Sequence, residues 1–178
     1  MFFKSLSLVL GAVIFCALTA SAQDKFDFRT HPYFKHLIGE WKLEAEVTRA
    51  NGDREKFTQL SKTEVAEANV LTTEGAYEGR DLSVRFKWMF THTASGKLEA
   101  VLQPDLDKPD LQRFEVKVSE DCLSLEITRA LKNQQKMTVV DAFKDGDYDL
   151  RELTRTITDS EGAVLSTTTA LSKRVKKP

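Results

Sequence analysis

The sequence predicts an all-β protein: an antiparallel up-and-down meander β-barrel of about ten strands, with a short N-terminal helical plug. Three observations lead there. After residue 38, apolar and polar residues alternate with period two in about ten short segments. Turn-forming residues separate these segments at short intervals, so successive strands must run antiparallel. No long helical pattern is available to cover a sheet, and ten strands with one apolar face close rather than leave two edges exposed. A two-sheet sandwich is the alternative, but a Greek key requires a long crossover.

The elements follow in order. Met1 to Lys4 is a short, singly charged start, Leu6 to Leu18 is nearly all apolar, and Ala20-Ser21-Ala22 is a small-x-small cleavage pattern. These are the marks of a secretory signal peptide over 1–22, and the apolar run is shorter than the ~20 residues of a spanning helix. The exported chain then begins at Gln23 and is expected in the periplasm or outside the cell. Residues 23–38 form a lead-in. Thr30-His31-Pro32 is a plausible helix start, with Phe34, Leu37 and Ile38 spaced to cap one barrel end.

Residues 39–172 form the barrel. Gly39 to Arg49 sets Trp41, Leu43, Ala45 and Val47 against charged neighbours, and Asn51-Gly52 is hairpin-turn chemistry. Glu55 to Ala66 and Asn69 to Glu78 are the next strands. Asp81 to Thr91 alternates Leu82, Val84, Phe86, Trp88 and Phe90, and Ala94-Ser95-Gly96 turns into Lys97 to Gln103. An acidic, Pro-containing loop, 104–110, leads to Gln112 to Val118. Cys122 to Ala130, Lys136 to Phe143, Tyr148 to Thr158 and Ala163 to Ser172 complete the set, with Asp145-Gly146 as a tight turn. Residues 173–178 form a basic tail.

Composition narrows the function classes. Hydrophobic residues are 41% and charged residues 30% of 178, which is ordinary globular composition. Lys+Arg is 26 against Asp+Glu 27, so a strongly basic nucleic-acid binder is excluded. Cys122 is the one cysteine after the leader, so no intramolecular disulfide forms in the exported chain. The sequence holds no Gly-x-Ser-x-Gly, His-Glu-x-x-His, Cys-x-x-Cys or P-loop motif. No catalytic residue, metal site or cofactor is therefore expected, and the acidic turn Asp145 to Asp149 reads as solvated. An acid–base site would have to draw on Asp141, Tyr148, Arg151 and Glu152.

His36-Leu37-Ile38-Gly39-Glu40-Trp41 resembles the Leu-x-Gly-x-Trp opening of the calycin superfamily, which includes lipocalins and fatty-acid-binding proteins. The resemblance implies that Gly39 and Trp41 begin the first strand and that the indole packs across the closed barrel end. It extends over the chain from about residue 34. Classical lipocalins differ in having eight strands, a C-terminal helix and a disulfide. Fatty-acid-binding proteins differ in carrying a helical lid where this chain has only Asn51-Gly52. Nitrobindin-like haem barrels ligate iron with a late histidine, and this chain has no histidine after His92. The chain is most similar to bacterial lipocalin-like domains of the DUF1579 type, although Phe90-Thr91-His92-Thr93 stands where that type has Gly-Tyr-Asp.

The candidate cavity residues are Trp41, Phe57, Phe86, Trp88, Phe114, Tyr148, Arg151 and Arg155. The rings share the parity of Trp41 and are either a pocket lining or simply the core. Phe57 continues through Gln59, Ser61 and Thr63, which gives either an inward polar stripe or a bulge that turns Leu60 inward. The resemblance implies that Arg151, Arg155 and Tyr148 could hold a ligand carboxylate. The leading expectation is an exported, non-catalytic barrel that binds a small apolar or amphipathic molecule. The alternative is a cell-envelope interaction or scaffold module with a barrel filled by side chains.

Overall fold

The computed structural model describes residues 26–79 and 83–175. The signal peptide expected over 1–22 lies outside the described residues, as does the end of the expected basic tail at 176–178. Ten strands follow in order: β1 (Gly39–Arg49), β2 (Arg54–Glu67), β3 (Val70–Glu78), β4 (Ser83–His92), β5 (Leu98–Gln103), β6 (Gln112–Val118), β7 (Ser124–Ala130), β8 (Lys136–Lys144), β9 (Asp147–Thr158) and β10 (Val164–Arg174). Each pairs antiparallel with its sequence neighbour, and β1 pairs with β10, so the sheet is a closed meander barrel. Closure leaves no free edge, which answers the edge problem that the alternation posed.

The turns do what their residues dictate. Gly52 carries φ +87° behind Asn51, and Asp145 and Gly146 both have positive φ in the two-residue connection between β8 and β9. Two residues with positive φ match the twist of the flanking strands, and Asp and Gly tolerate that conformation best. Cys122 stands at φ 56° in the turn before β7, against the barrel core, so the strand expected from Cys122 begins at Ser124. β10 runs through Lys173 and Arg174, the first two residues of the expected tail.

A helical plug is not supported. Residues 26–38 are turns around one three-residue 3-10 segment, Phe34–His36. Pro32 and the aromatic residues do not sustain a longer helix here, because the burial of Phe28, Tyr33 and Phe34 sets the path. All three rings are fully buried, and they pack with Leu37, Trp41, Leu71, Phe90 and Phe143 at the end of the barrel. Among the described residues no helix is long and apolar enough to cross a membrane.

This end is also fastened by polar contacts. The Trp41 indole N–H donates to the Leu37 carbonyl at 2.8 Å, and the Arg151 and Arg174 guanidiniums lie 4.1 and 4.4 Å from the indole centroid. Arg174 donates to the carbonyls of His36 and Ile38, each at 2.7 Å, and to the Asp149 carboxylate at 2.6 Å. Gly39 makes room for this fork. It has φ +129°, and a Cβ there would stand 2.8 Å from Arg174 Nη1. Gly39 and Trp41 thus begin β1 and pack the closed end.

Candidate functional site

Above the packed end, the lumen opens into a cavity of about 850 Å³. That volume is in the range of sites for drug-sized molecules. It reaches Leu37, Phe90, Asp141 and Arg151 below. At the mouth it reaches Arg49 and Glu55 of the first hairpin, Gly79 after β3, Pro104 after β5 and Gln135 before β8. The barrel is therefore not filled by side chains along its whole length, which sets the lumen against the filled-barrel alternative.

Five of the eight expected residues line this space: Phe57, Trp88, Phe114, Arg151 and Arg155. Three do not. Trp41 is buried beneath the cavity in the packed end. Phe86 is fully buried against the wall, where Gly75 lets it sit. A Cβ on Gly75 would come within 2.8 Å of the Phe86 ring and 2.3 Å of the Leu60 carbonyl. Tyr148 lies outside the barrel, 39% exposed and stacked on His36 at 3.6 Å between centroids.

The parity on β9 explains Tyr148. Arg151, Leu153, Arg155 and Ile157 face the lumen, so Tyr148 and Glu152 face out. An inward arginine at 151 is stable because Asp141 on β8 meets it at 2.5 Å and the Trp41 ring lies beneath it. Glu152 instead bonds Lys144 on the outer surface. Of the four groups on which an acid–base site would draw, only Asp141 and Arg151 are therefore inside, as an ion pair. His36 and His92 are not cavity residues: both stack on rings at the closed end, His92 on Phe26 at 4.0 Å.

The polar stripe is real. Gln59, Ser61 and Thr63 face inward, and Leu60 is 53% exposed on the outer surface. Thr63 and Thr73 hydroxyls bond each other across the β2–β3 pair at 2.8 Å, which satisfies the buried Thr63 hydroxyl with that of the half-buried Thr73. Sequence reading overlooked Tyr77. The sequence signal for it is the period-two spacing Leu71, Thr73, Gly75, Tyr77, which puts Tyr77 on the face of the apolar Leu71.

The charges of the lumen are unevenly matched. Asp141 pairs with Arg151, and Glu55 pairs with Arg49 at the rim at 2.8 Å. Burial pushes the Asp141 carboxyl up from its usual range, and the Arg151 charge opposes that shift. Burial likewise lowers the Arg155 guanidinium, with the Tyr77 phenol as the opposing influence. Among the described residues Arg155 makes no salt bridge. Tyr77 is raised to about 12, mainly by burial. An unpaired cation in a largely apolar cavity is electrostatically incomplete, and an anion would complete it.

Comparison with known proteins supports the fold. No family model matches the chain, and no curated protein is detectably similar in sequence. The barrel superposes on an S-type phycobiliprotein lyase from Guillardia theta with TM-score 0.57 and 11% identity. That alignment covers 82% of this chain and 92% of the lyase. It also superposes on a DUF3598-family protein of unknown function from Nostoc punctiforme, with TM-score 0.55 and 16% identity. There the alignment covers 79% of this chain but 48% of the other, so this chain spans about half of that protein. Both likenesses agree with the closed ten-strand antiparallel barrel of this chain. At these identities the likeness concerns the fold alone. It nonetheless corrects the expectation of a barrel without catalysis, because the same fold is found in a protein described as a lyase.

Proposed function

We propose that this chain is an exported lipocalin-like barrel that binds one small amphipathic ligand in its lumen. The observation that carries the reading is the cavity of about 850 Å³ with Arg155 on its wall and no carboxylate partner for it among the described residues. Apolar lining supplies affinity by removing ligand surface from water, and the guanidinium fixes the orientation of an acidic group. Export to the periplasm or beyond rests on the leader pattern of residues 1–22. Similarity to bacterial lipocalin-like domains of the DUF1579 type belongs to the same proposal, and Leu37, Gly39 and Trp41 at the packed end support it.

Native mass spectrometry of the chain purified from a bacterial periplasm tests both parts. The expected mass begins at Gln23 and carries a small adduct that is lost on denaturation. An intact leader would overturn export. A chain that carries no adduct and takes up no member of a panel of amphipathic acids would overturn the binding reading.

A further inference from the structure

The walls of the lumen differ in a way that specifies the ligand further, given the binding reading above. In the closed ring of ten strands, β4 lies five steps from β9 in either direction. The two strands therefore face each other across the lumen. The β4 side is aromatic. Trp88 and Phe90 point inward from β4, with Tyr77 on the neighbouring β3 and Phe57 and Phe114 two strands away on either side. Trp88 is 5.0 Å from Phe114 and 5.9 Å from Phe90 between centroids, and Phe57 is 5.6 Å from Tyr77. The facing wall, from β8 through β1, contributes no ring to the lining. It presents aliphatic and small residues, with Arg155 as its unpaired charge.

Among the described residues the lining carboxylates, Glu55 and Asp141, are each held by their own arginine, which leaves Arg155 as the lining charge without a carboxylate partner. A flexible saturated chain would occupy this volume without using the faces of the rings. A neutral arene would use the rings and leave Arg155 unpaired. A planar anion satisfies both walls, because π-faces favour flat partners and a guanidinium forks onto a planar oxyanion.

We infer that the lumen selects a planar, ring-bearing organic anion, with its rings against the Trp88 wall and its carboxylate on Arg155. Calorimetry on the purified chain with three probes tests this: anthracene-2-carboxylate, its methyl ester, and tetradecanoate. The arene acid is expected to bind about tenfold tighter than tetradecanoate and about tenfold tighter than the ester. Arg155→Gln should erase the difference between acid and ester. Trp88→Leu should weaken the arene acid about tenfold and leave tetradecanoate within about threefold, so the fatty acid reports whether the variant still holds its cavity. Phe114→Leu should show the same split.

Tetradecanoate binding as tightly as the arene acid would overturn planar selectivity and leave the binding reading standing. Equal loss of both ligands in Trp88→Leu and in Phe114→Leu would also overturn it, since the rings would then be acting as bulk. Failure of all three probes and of the wider panel of acids would overturn both readings.

Discussion

Where the chain enters the barrel, Phe28, Tyr33 and Phe34 add three buried rings to the inward residues of the strands, and the space is packed. Toward the opposite end the same strands point Ala45, Val47, Gln59 and Thr168 inward, and a cavity remains. The alternation is the same at both ends. What differs is the size of the inward side chains and the presence of a segment that brings its own. Strand periodicity therefore sets which face is inside, while filling depends on height along the strand. The packed half holds the burial that stabilises the fold, and the open half holds the unpaired charge.

The sharpest way to break this contrast is to delete a ring from the packed half. Phe34 is fully buried and meets Phe28 at 4.7 Å and Phe90 at 5.8 Å between centroids. Phe34→Ala is expected to cost about 3–5 kcal/mol, because Phe90 and the other strand residues around it belong to a closed sheet that cannot collapse onto the gap. Urea unfolding monitored by circular dichroism measures it. A loss under 1 kcal/mol would mean that the lead-in is a removable cover rather than part of the core.

A smaller effect is read at alkaline pH, where Tyr77→Phe isolates the phenol of the open half from the buried Tyr33 of the packed half. The Tyr77 phenol, on the cavity wall, is pushed up to about 12 by burial. In the unfolded chain it ionises near 10, so the folded state disfavours the phenolate. Its contribution is intact below pH 10 and is lost as pH rises from about 10 to 12. Two units correspond to about 2–3 kcal/mol. Tyr77→Phe should remove that part of the alkaline loss, measured as the difference between the two chains' midpoints over that range. Identical alkaline profiles would show that the hydroxyl is already hydrated in the lumen.

Much of this architecture was legible in the sequence. The first strand and Gln112 to Val118 appear with the bounds that alternation predicts, and the other strands lie within about two residues of theirs. Ring closure followed from counting strands with short connections. The inward polar stripe at Gln59, Ser61 and Thr63 was one of two readings, and the threonine pair across β2 and β3 explains why it won. What stayed hidden depends on height and partners. Phe86 and Trp88 share a face, yet Phe86 sinks into the wall because Gly75 on the next strand has no side chain. Tyr148 follows the parity of Leu150, but the long-range partners of Arg151 decide the phase of that strand. The lead-in took a 3-10 turn because burying three rings outweighs the helix that Thr30-His31-Pro32 could start.

The smallest expected change in stability is also the one with an unusual sign. Arg155 occupies an inward position where an aliphatic residue would suit the wall formed by Leu153, Ile157 and Val139. Its charge is partly removed from water and has no carboxylate partner among the described residues, so its burial opposes folding. Arg155→Leu is expected to raise stability by up to about 1 kcal/mol, since a buried charge is exchanged for apolar packing of similar reach. The same substitution should abolish the preference for an acid over its ester. A closed-end cation behaves in the opposite way: Arg174 holds two carbonyls of the lead-in and Asp149, and its loss can only destabilise. Thermal melts of the two variants without ligand make the contrast direct. If Arg155→Leu destabilises as Arg174→Leu does, the guanidinium is a structural tie and the open half has no separate role. If it stabilises while binding of acids is lost, the arginine is kept in the wall for its ligand.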